Sequence, residues 1–135
     1  MALPAIAPPD VILWATTYFR AALAARPEPV AQAAFVSDEV PNPRVPVMVV
    51  IESDGGPRLD YVRSAVRLRF QVWAGSKKDA TDLALIVYAL AAACPTGVPV
   101  CAVSALAGPW RVADESGQPK QFLTAELVVR GATLT

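Results

Sequence analysis

Two segments in which apolar and polar side chains alternate residue by residue constrain the fold of this chain more than any other feature. The first runs from Arg63 to Ala74 and the second from Lys120 to Arg130. One side of the first segment carries Val66, Leu68, Phe70 and Val72. The equivalent side of the second carries Leu123, Ala125, Leu127 and Val129. A period of two is that of a β-strand with one face on a core, so each segment predicts a strand whose second face has another use.

Two helices are predicted from capping signals and from the spacing of apolar residues. The first runs from about Asp10 to Ala25, and Asp10 can accept a hydrogen bond from the first turn. The second runs from about Lys77 to Cys94, where Ser76 and Asp79 have the spacing of a capping box. Both helices carry apolar residues on a second side as well, which favours burial on two sides or contact with a neighbouring subunit.

Further extended segments complete the pattern at Val45 to Glu52, Val98 to Leu106, Trp110 to Val112 and, in a short form, Ala34 to Val36. The order helix, strand, strand, helix, strand, strand indicates an α+β fold. We expect one domain over residues 1–135, with an irregular N-terminal arm at 1–9 and a mostly antiparallel sheet of four to five strands. The two helices are expected to pack on one face of that sheet. The expected core side chains are Leu68, Phe70, Leu83, Ile86, Leu90 and Leu127.

The charge composition limits the classes of function. The chain has 12 basic and 12 acidic residues and no histidine, so its formal net charge is zero. A nucleic-acid-binding protein usually shows a basic patch, which this balance does not favour. A neutral chain that is 54% hydrophobic favours an oligomer or a member of an assembly over a free monomer. The longest apolar run, Leu83 to Cys94, is shorter than the roughly 20 residues that span a bilayer, so no membrane association is expected.

No pattern in the sequence indicates a catalytic, cofactor-binding or metal site, and we expect no enzyme activity. The segment GSKKDATD at 75–82 opens a helix after a strand but lacks the second glycine of a phosphate-binding loop. The acidic clusters at 52–56 and 113–117 lie in glycine-containing turns, where Asp and Ser are common. Arg67 and Arg69 are expected to pair with Glu126 and other acids across the sheet rather than with nucleic acid.

Cys94 and Cys101 are the two cysteines of the chain. Two are too few for a metal site without histidine. We expect two small reduced thiols in a reducing compartment, and a disulfide stays open as an alternative because a helix end and the next strand can come close.

The second half of the chain, about residues 44 to 131, resembles the tail terminator (tail completion) proteins of long-tailed bacteriophages, especially those of actinobacterial hosts. The matching features are a strand ending in Val72-Trp73-Ala74, the helical segment from Ser76 to Ala93, and Gly108-Pro109-Trp110. An Asp-x-x-Gly turn at Asp114 to Gly117 and a last strand from Phe122 to Gly131 complete the pattern.

The resemblance implies a structural virion protein that assembles in the host cytoplasm and lies at the head-tail junction. It would form a homohexameric ring that caps the tail tube, ends its polymerisation and joins the tail to the head connector or stopper protein. DNA would pass through the lumen without specific binding. A head-closure (stopper) or other connector ring protein is the alternative, and a small α/β ligand-binding domain is a further one.

The second face of the strands and two turns, 52–60 and 113–120, would supply the contacts to neighbours, tube and connector. The acids of these turns would also repel DNA in the channel. The interface candidates are Glu52, Asp54, Arg58, Asp60, Arg67, Arg69, Trp73, Trp110, Asp114, Glu115, Phe122, Glu126 and Arg130.

Overall fold

A computed structural model describes residues 2–97 and 99–134 of the chain. The helices are α1 (Val11–Ala24), α2 (Pro29–Gln32) and α3 (Lys77–Ala92). The strands are β1 (Ile6–Ala7), β2 (Phe35–Ser37), β3 (Met48–Gly55), β4 (Arg63–Trp73), β5 (Val100–Val112), β6 (Lys120–Arg130) and β7 (Ala132–Thr133). The predicted α+β architecture is confirmed.

The main sheet has five strands in the order β2-β3-β4-β6-β5, and β1 and β7 form a separate two-stranded ribbon. All neighbours in the main sheet run antiparallel except β2 and β3, which run parallel. The hairpins β3-β4 and β5-β6 follow the sequence order. The crossover through α3 skips one position, so β6 lies between β4 and β5.

The centre of the sheet is the pairing of β4 with β6, which is in register from Arg63 opposite Arg130 to Trp73 opposite Lys120. The two alternating patterns are in phase in this register, since Val66 lies opposite Leu127 and both are buried. The apolar sides of both strands therefore form one continuous floor for the core.

Helix α1 lies on this floor. Asp10 caps the helix by accepting a hydrogen bond from the Leu13 backbone N–H at 3.0 Å. Phe19 is fully buried, and its ring packs edge-on against Phe70 of β4, with ring centres 5.0 Å apart.

Helix α3 is capped as predicted, since Ser76 Oγ accepts from the Asp79 N–H at 3.1 Å. The expected core face was partly wrong, because Ile86 and Leu90 are only half-buried. The buried side chains of α3 are Ala80, Leu83, Ala84, Val87 and Ala91. The helix turns its small alanine side chains to the sheet, which lets the two backbones approach closely.

The remaining core predictions are confirmed: Leu68, Phe70, Leu83 and Leu127 are each 2% exposed or less. Several boundaries differ. Strand β3 begins and ends three residues later than the segment predicted at Val45 to Glu52, so Glu52 and Asp54 lie in the strand and not in the predicted turn. The segments predicted at 98–106 and 110–112 correspond to one strand, β5, which begins at Val100, and Val98 lies outside the described residues. A bulge between Ala107 and Trp110 carries the pairing through Gly108, whose φ is +95°. The N-terminal arm is not wholly irregular, because β1 pairs with β7.

Two leucines on α3 offer a test of this register. Leu83→Ala should lower the free energy of unfolding by about 2–5 kcal/mol, because a fully buried side chain is removed from a packed site. Leu85→Ala, at a site that is 52% exposed, should change it by less than about 0.5 kcal/mol. Urea unfolding of both variants measures the two values, and equal effects would contradict the register.

Candidate interaction surface

The helices that the structure describes pack on the core side of the main sheet, and the opposite side has no helical cover. We call this second side the open face. It carries charged and polar side chains along its middle and aromatic side chains toward one end, and its main members are Glu52, Arg67, Arg69, Gln71, Trp73, Trp110, Phe122 and Glu126.

The charges in the middle of the open face form a ladder across β3 and β4. Asp54 lies 2.8 Å from Arg69 Nε and 3.7 Å from Arg67 Nε, and Glu52 lies 3.5 Å from Arg69 Nη2. Gln71 donates a further hydrogen bond to Glu52. Arg69 Nε is buried and makes no hydrogen bond, so its contact with Asp54 is an ion pair only. Both arginines are thus engaged within the subunit.

The two arginines pair with acids across the sheet, as predicted, but the acids are not the one that the sequence suggested first. Glu126 lies opposite Arg67 in the β4-β6 register, yet its carboxylate accepts a hydrogen bond from Ser104 of β5 at 3.0 Å. Asp54 and Glu52, at the end of β3, take the arginines instead. Exposed ion pairs of this kind add little to stability, so the ladder chiefly fixes a charge pattern on the surface.

Trp73 does not present the exposed contact surface that the sequence suggested, because it is only 2% exposed. It forms a small apolar cluster with Met48 and Val50 on the open face. Two cations cover its ring: Arg44 Cζ lies 5.6 Å and Lys120 Nζ 4.8 Å from the ring centre. Trp73 therefore supports the Arg44 and Lys120 side chains that lie over its ring.

Asp114 joins the two cations that cover Trp73. Its carboxylate lies 3.6 Å from Arg44 Nη2 and 3.8 Å from Lys120 Nζ. Hydrogen bonds from the Ser116 hydroxyl and backbone N–H lower the pKa of this carboxyl below its ordinary value of 3.8, and the Lys120 ammonium lowers the pKa further.

The turn from Ala113 to Lys120 is braced against the loop before β3. The Gln118 side-chain amide donates to the Pro46 carbonyl and accepts from Arg44 Nη2 at 3.2 Å. Sequence reasoning missed Arg44 and Gln118, because Arg44 lies in an irregular proline-rich segment with no periodicity to follow. The exposed tip of this turn is Glu115.

Two aromatic side chains mark the β5 edge of the open face. The rings of Trp110 and Phe122 lie opposite each other across β5 and β6, with centres 6.0 Å apart and an interplanar angle of 27°. Phe122 is half-buried beneath Trp110, which remains 48% exposed. An exposed tryptophan on a rigid edge is typical of a contact residue.

The segment from Glu52 to Asp60 begins within β3, which ends at Gly55, and its remainder is a loop folded back on β4. Asp60 binds the Arg63 side chain at 2.6 Å, and its pKa is lowered by that side chain and by the backbone N–H groups of Arg63 and Val62. Arg58 donates to the carbonyls of Asp60 and Tyr61. The loop is therefore preordered.

The two candidate loops lie at opposite ends of the sheet. The 52–60 loop leads into β4 at Arg63, beside the exposed Arg130 of β6, whereas the 113–120 turn meets the other end of β4 at Trp73. The two ends of β4, Arg63 and Trp73, lie about 33 Å apart at about 3.3 Å per residue, and the start of the 52–60 segment, Glu52, lies opposite Arg69 within the strand pairing. One subunit thus presents two distinct polar loops in opposite directions.

A cleft of about 330 Å³ lies between the start of α3 and the 113–120 turn, and its polar lining includes Lys77, Arg111 and Gln121. Gln121 is buried and donates to Thr81 Oγ1 at 3.2 Å. In the described part of the chain, no cluster of three or more metal-ligating side chains occurs and no helix is long and apolar enough to cross a membrane. Cys94 and Cys101 are both free thiols, and burial raises the pKa of Cys94.

Comparison with known protein families and with characterised proteins found no match for this chain. The assignment of a function therefore rests on the geometry and on the sequence patterns.

Asp114 gives a pH-dependent prediction. Because its folded pKa is lowered, its stabilisation is present above the ordinary value of 3.8 and is lost as the pH falls through the folded pKa. Asp114→Asn should lower the free energy of unfolding by about 1–2 kcal/mol at pH 7, and the difference from wild type should narrow below about pH 4.

The control is Glu115→Gln, at the exposed neighbour, which should leave the unfolding free energy nearly unchanged at both pH values. Chemical unfolding followed by Trp fluorescence measures both variants. A difference for Asp114→Asn that is independent of pH would mean that the carboxylate charge has no part in holding the turn.

Proposed function

We propose that this chain is a structural subunit of a tailed bacteriophage, a tail terminator that forms a ring on the end of the tail tube and joins the tail to the head connector. The observation that carries the proposal is the placement of two preordered polar loops at opposite ends of one rigid sheet. A subunit between a tube below and a connector above needs two such surfaces, one facing each partner.

A second observation supports the proposal. The sequence features that resemble tail terminators are spread over about sixty residues, yet several of their side chains meet at one end of the open face. Trp73 lies below Lys120, Asp114 binds that lysine, and Trp110 stacks on Phe122. The patterns that carry the resemblance thus belong to one packed unit of the surface rather than to unrelated turns.

The open face also fits a channel through which DNA passes without being held. Arg67 and Arg69 are occupied by Asp54 and Glu52, so their charges are already balanced before any phosphate approaches. Binding DNA would require breaking these pairs, which removes much of the gain from counterion release. Fewer acids are free to repel DNA than the sequence suggested. Glu52, Asp54 and Asp114 form ion pairs, and Glu115 is the acid of the described 113–120 turn that forms none.

The test is a phage whose copy of this gene is interrupted, with the intact gene supplied on a plasmid as the control. We expect the interrupted phage to produce tails of irregular length that are not joined to heads, and the plasmid copy to restore uniform joined particles. Electron microscopy of purified particles measures tail length, and a cryo-EM map of the restored particles should place the chain in a ring at the head-tail junction.

Two outcomes would count against this function. Particles with normal, joined tails in the absence of the chain would exclude a role in completing the tail. Unjoined tails of normal, uniform length would instead favour the head-closure alternative.

A further inference from the structure

The charged side chains that have no partner within the subunit are not scattered evenly. Most charges in the described part of the chain form an ion pair, a helix cap or a hydrogen bond to a carbonyl or hydroxyl group. Within 2–97 and 99–134, the cations that make no such contact are Lys77, Arg111 and Arg130, and the acids are Asp38, Glu39, Asp79 and Glu115. All seven are exposed.

Two of these cations lie at the β5 edge of the sheet. Lys77 and Arg111 line the same cleft beside the 113–120 turn. The edge strand next to them exposes Trp110 and Val112, which are 48% and 37% exposed. We call the set Lys77, Trp110, Arg111 and Val112 the cationic edge.

Three of the unpaired acids lie toward the β2 side of the subunit. Asp38 and Glu39 directly follow β2, where Phe35 and Val40 are 47% and 39% exposed. The third acid, Asp79, lines a groove between α2 and α3.

The groove has an apolar floor and an acidic rim. Its lining includes Val30, Val47, Ile86 and the 52%-exposed Leu85, with Glu28 and Asp82 beside Asp79. Glu28 and Asp82 are already paired with Arg26 and Lys78, so Asp79 supplies the rim's unbalanced charge. We call the groove together with Phe35, Asp38, Glu39 and Val40 the acidic edge.

The strand order places β5 and β2 at the two opposite borders of the main sheet, about 19 Å apart at about 4.8 Å per strand. We propose that the cationic edge of one copy docks on the acidic edge of the next copy, head to tail. Each border carries exposed apolar side chains. The unpaired charges at the β5 border are two cations, with Glu115 as a single unpaired acid on the adjoining turn, and those toward β2 are three acids, so each border complements the other better than it complements itself. A head-to-tail contact of this kind closes a ring when the rotation between neighbouring copies divides a full turn, and otherwise forms an open filament.

The contact is made by side chains rather than by addition of β5 to another strand. Bulges interrupt β5 at three positions, and Pro109 has no N–H to donate. An edge of this kind resists pairing with a second strand. Trp110 and Val112 therefore supply apolar contact area, and Arg111 and Lys77 set the orientation by charge.

This inference deepens the proposed function by naming the contact between ring subunits, and it rests on that function only for the closure of the ring. The test uses two variants, each reversed at one edge: Arg111→Glu at the cationic edge, and the double variant Asp38→Lys with Glu39→Lys at the acidic edge. The sites are exposed, so the variants should fold. Arg130→Glu is the matched control, because Arg130 is also exposed and unpaired but belongs to neither edge.

We expect each edge variant alone to self-associate at least about tenfold more weakly than wild type, because like charges then face each other. In a 1:1 mixture, each reversed edge meets the reversed edge of the other variant, and each native edge meets a native one. The mixture should therefore recover assemblies with an even number of subunits, at wild-type strength. Sedimentation velocity on the variants, the mixture and the control measures this.

A cross-linking experiment keeps the test decisive if wild type associates too weakly to sediment as an oligomer. Val112→Cys and Leu85→Cys are made separately in a Cys101→Ser background, in which Cys94 stays buried. The two are mixed with a short bismaleimide, and Leu13→Cys, at an exposed site on α1, replaces Leu85→Cys in the control mixture. We expect a heterodimer between positions 112 and 85 that clearly exceeds the control.

If wild type sediments as an oligomer, the proposal is overturned when Arg111→Glu and Arg130→Glu behave alike or when the mixture recovers nothing. Whether or not it does, the proposal is overturned when the 112–85 cross-link does not exceed its control. A phage ring at the head-tail junction together with any of these results would refute this contact while leaving the proposed function intact. If the two edges bind each other as proposed but loss of the chain has no effect on tails, the contact stands and the proposed function is refuted.

Discussion

The in-register pairing of β4 with β6 is the constraint on which the rest of the structure depends. Both strands alternate apolar and polar side chains over their whole length, and the register keeps the two patterns in phase. Because a slip by one residue would turn every apolar side chain of one strand to the wrong face, the pairing has one favourable register. It fixes the core on one side, where Phe70 receives Phe19 of α1, and the charged ladder on the other.

The same pairing of β4 with β6 also places the charged groups that cover Trp73 at one end of the open face. It brings Trp73 beside Lys120, and the turn that precedes Lys120 brings Asp114 over the same place. A large apolar ring on a face without helices needs cover, and Arg44, Lys120 and the Asp114 carboxylate provide it with charged groups whose outer sides stay in water. The turn can therefore be polar and ordered at once.

Most of the architecture could be predicted from local sequence signals, because period-two alternation and helix caps are carried by neighbouring residues. Asp10 and Ser76 cap their helices as expected. The core face of α3 was predicted less well, since its apolar residues nearly encircle the helix and spacing alone does not choose Ala84 over Ile86. The contacts of the candidate interaction surface were harder still to predict. The contact of Arg44 with Asp114 joins residues 70 positions apart, and no local pattern records it.

The zero net charge of the chain has a different meaning once its charges are placed in space. As a composition, it indicated only weak self-repulsion and a tendency to associate. In the fold, most charges neutralise a neighbour. Of the unpaired ones, Lys77 and Arg111 lie near one border of the sheet and Asp38, Glu39 and Asp79 lie toward the other. Arg130 and Glu115 are unpaired as well and belong to neither group. The net charge is therefore zero although unpaired charges of opposite sign are separated across the subunit. Under the proposed edge contact, two copies side by side in the same orientation would attract through their facing edges, whereas two copies with like edges together would repel. This asymmetry would favour a chain of contacts over a symmetric pair.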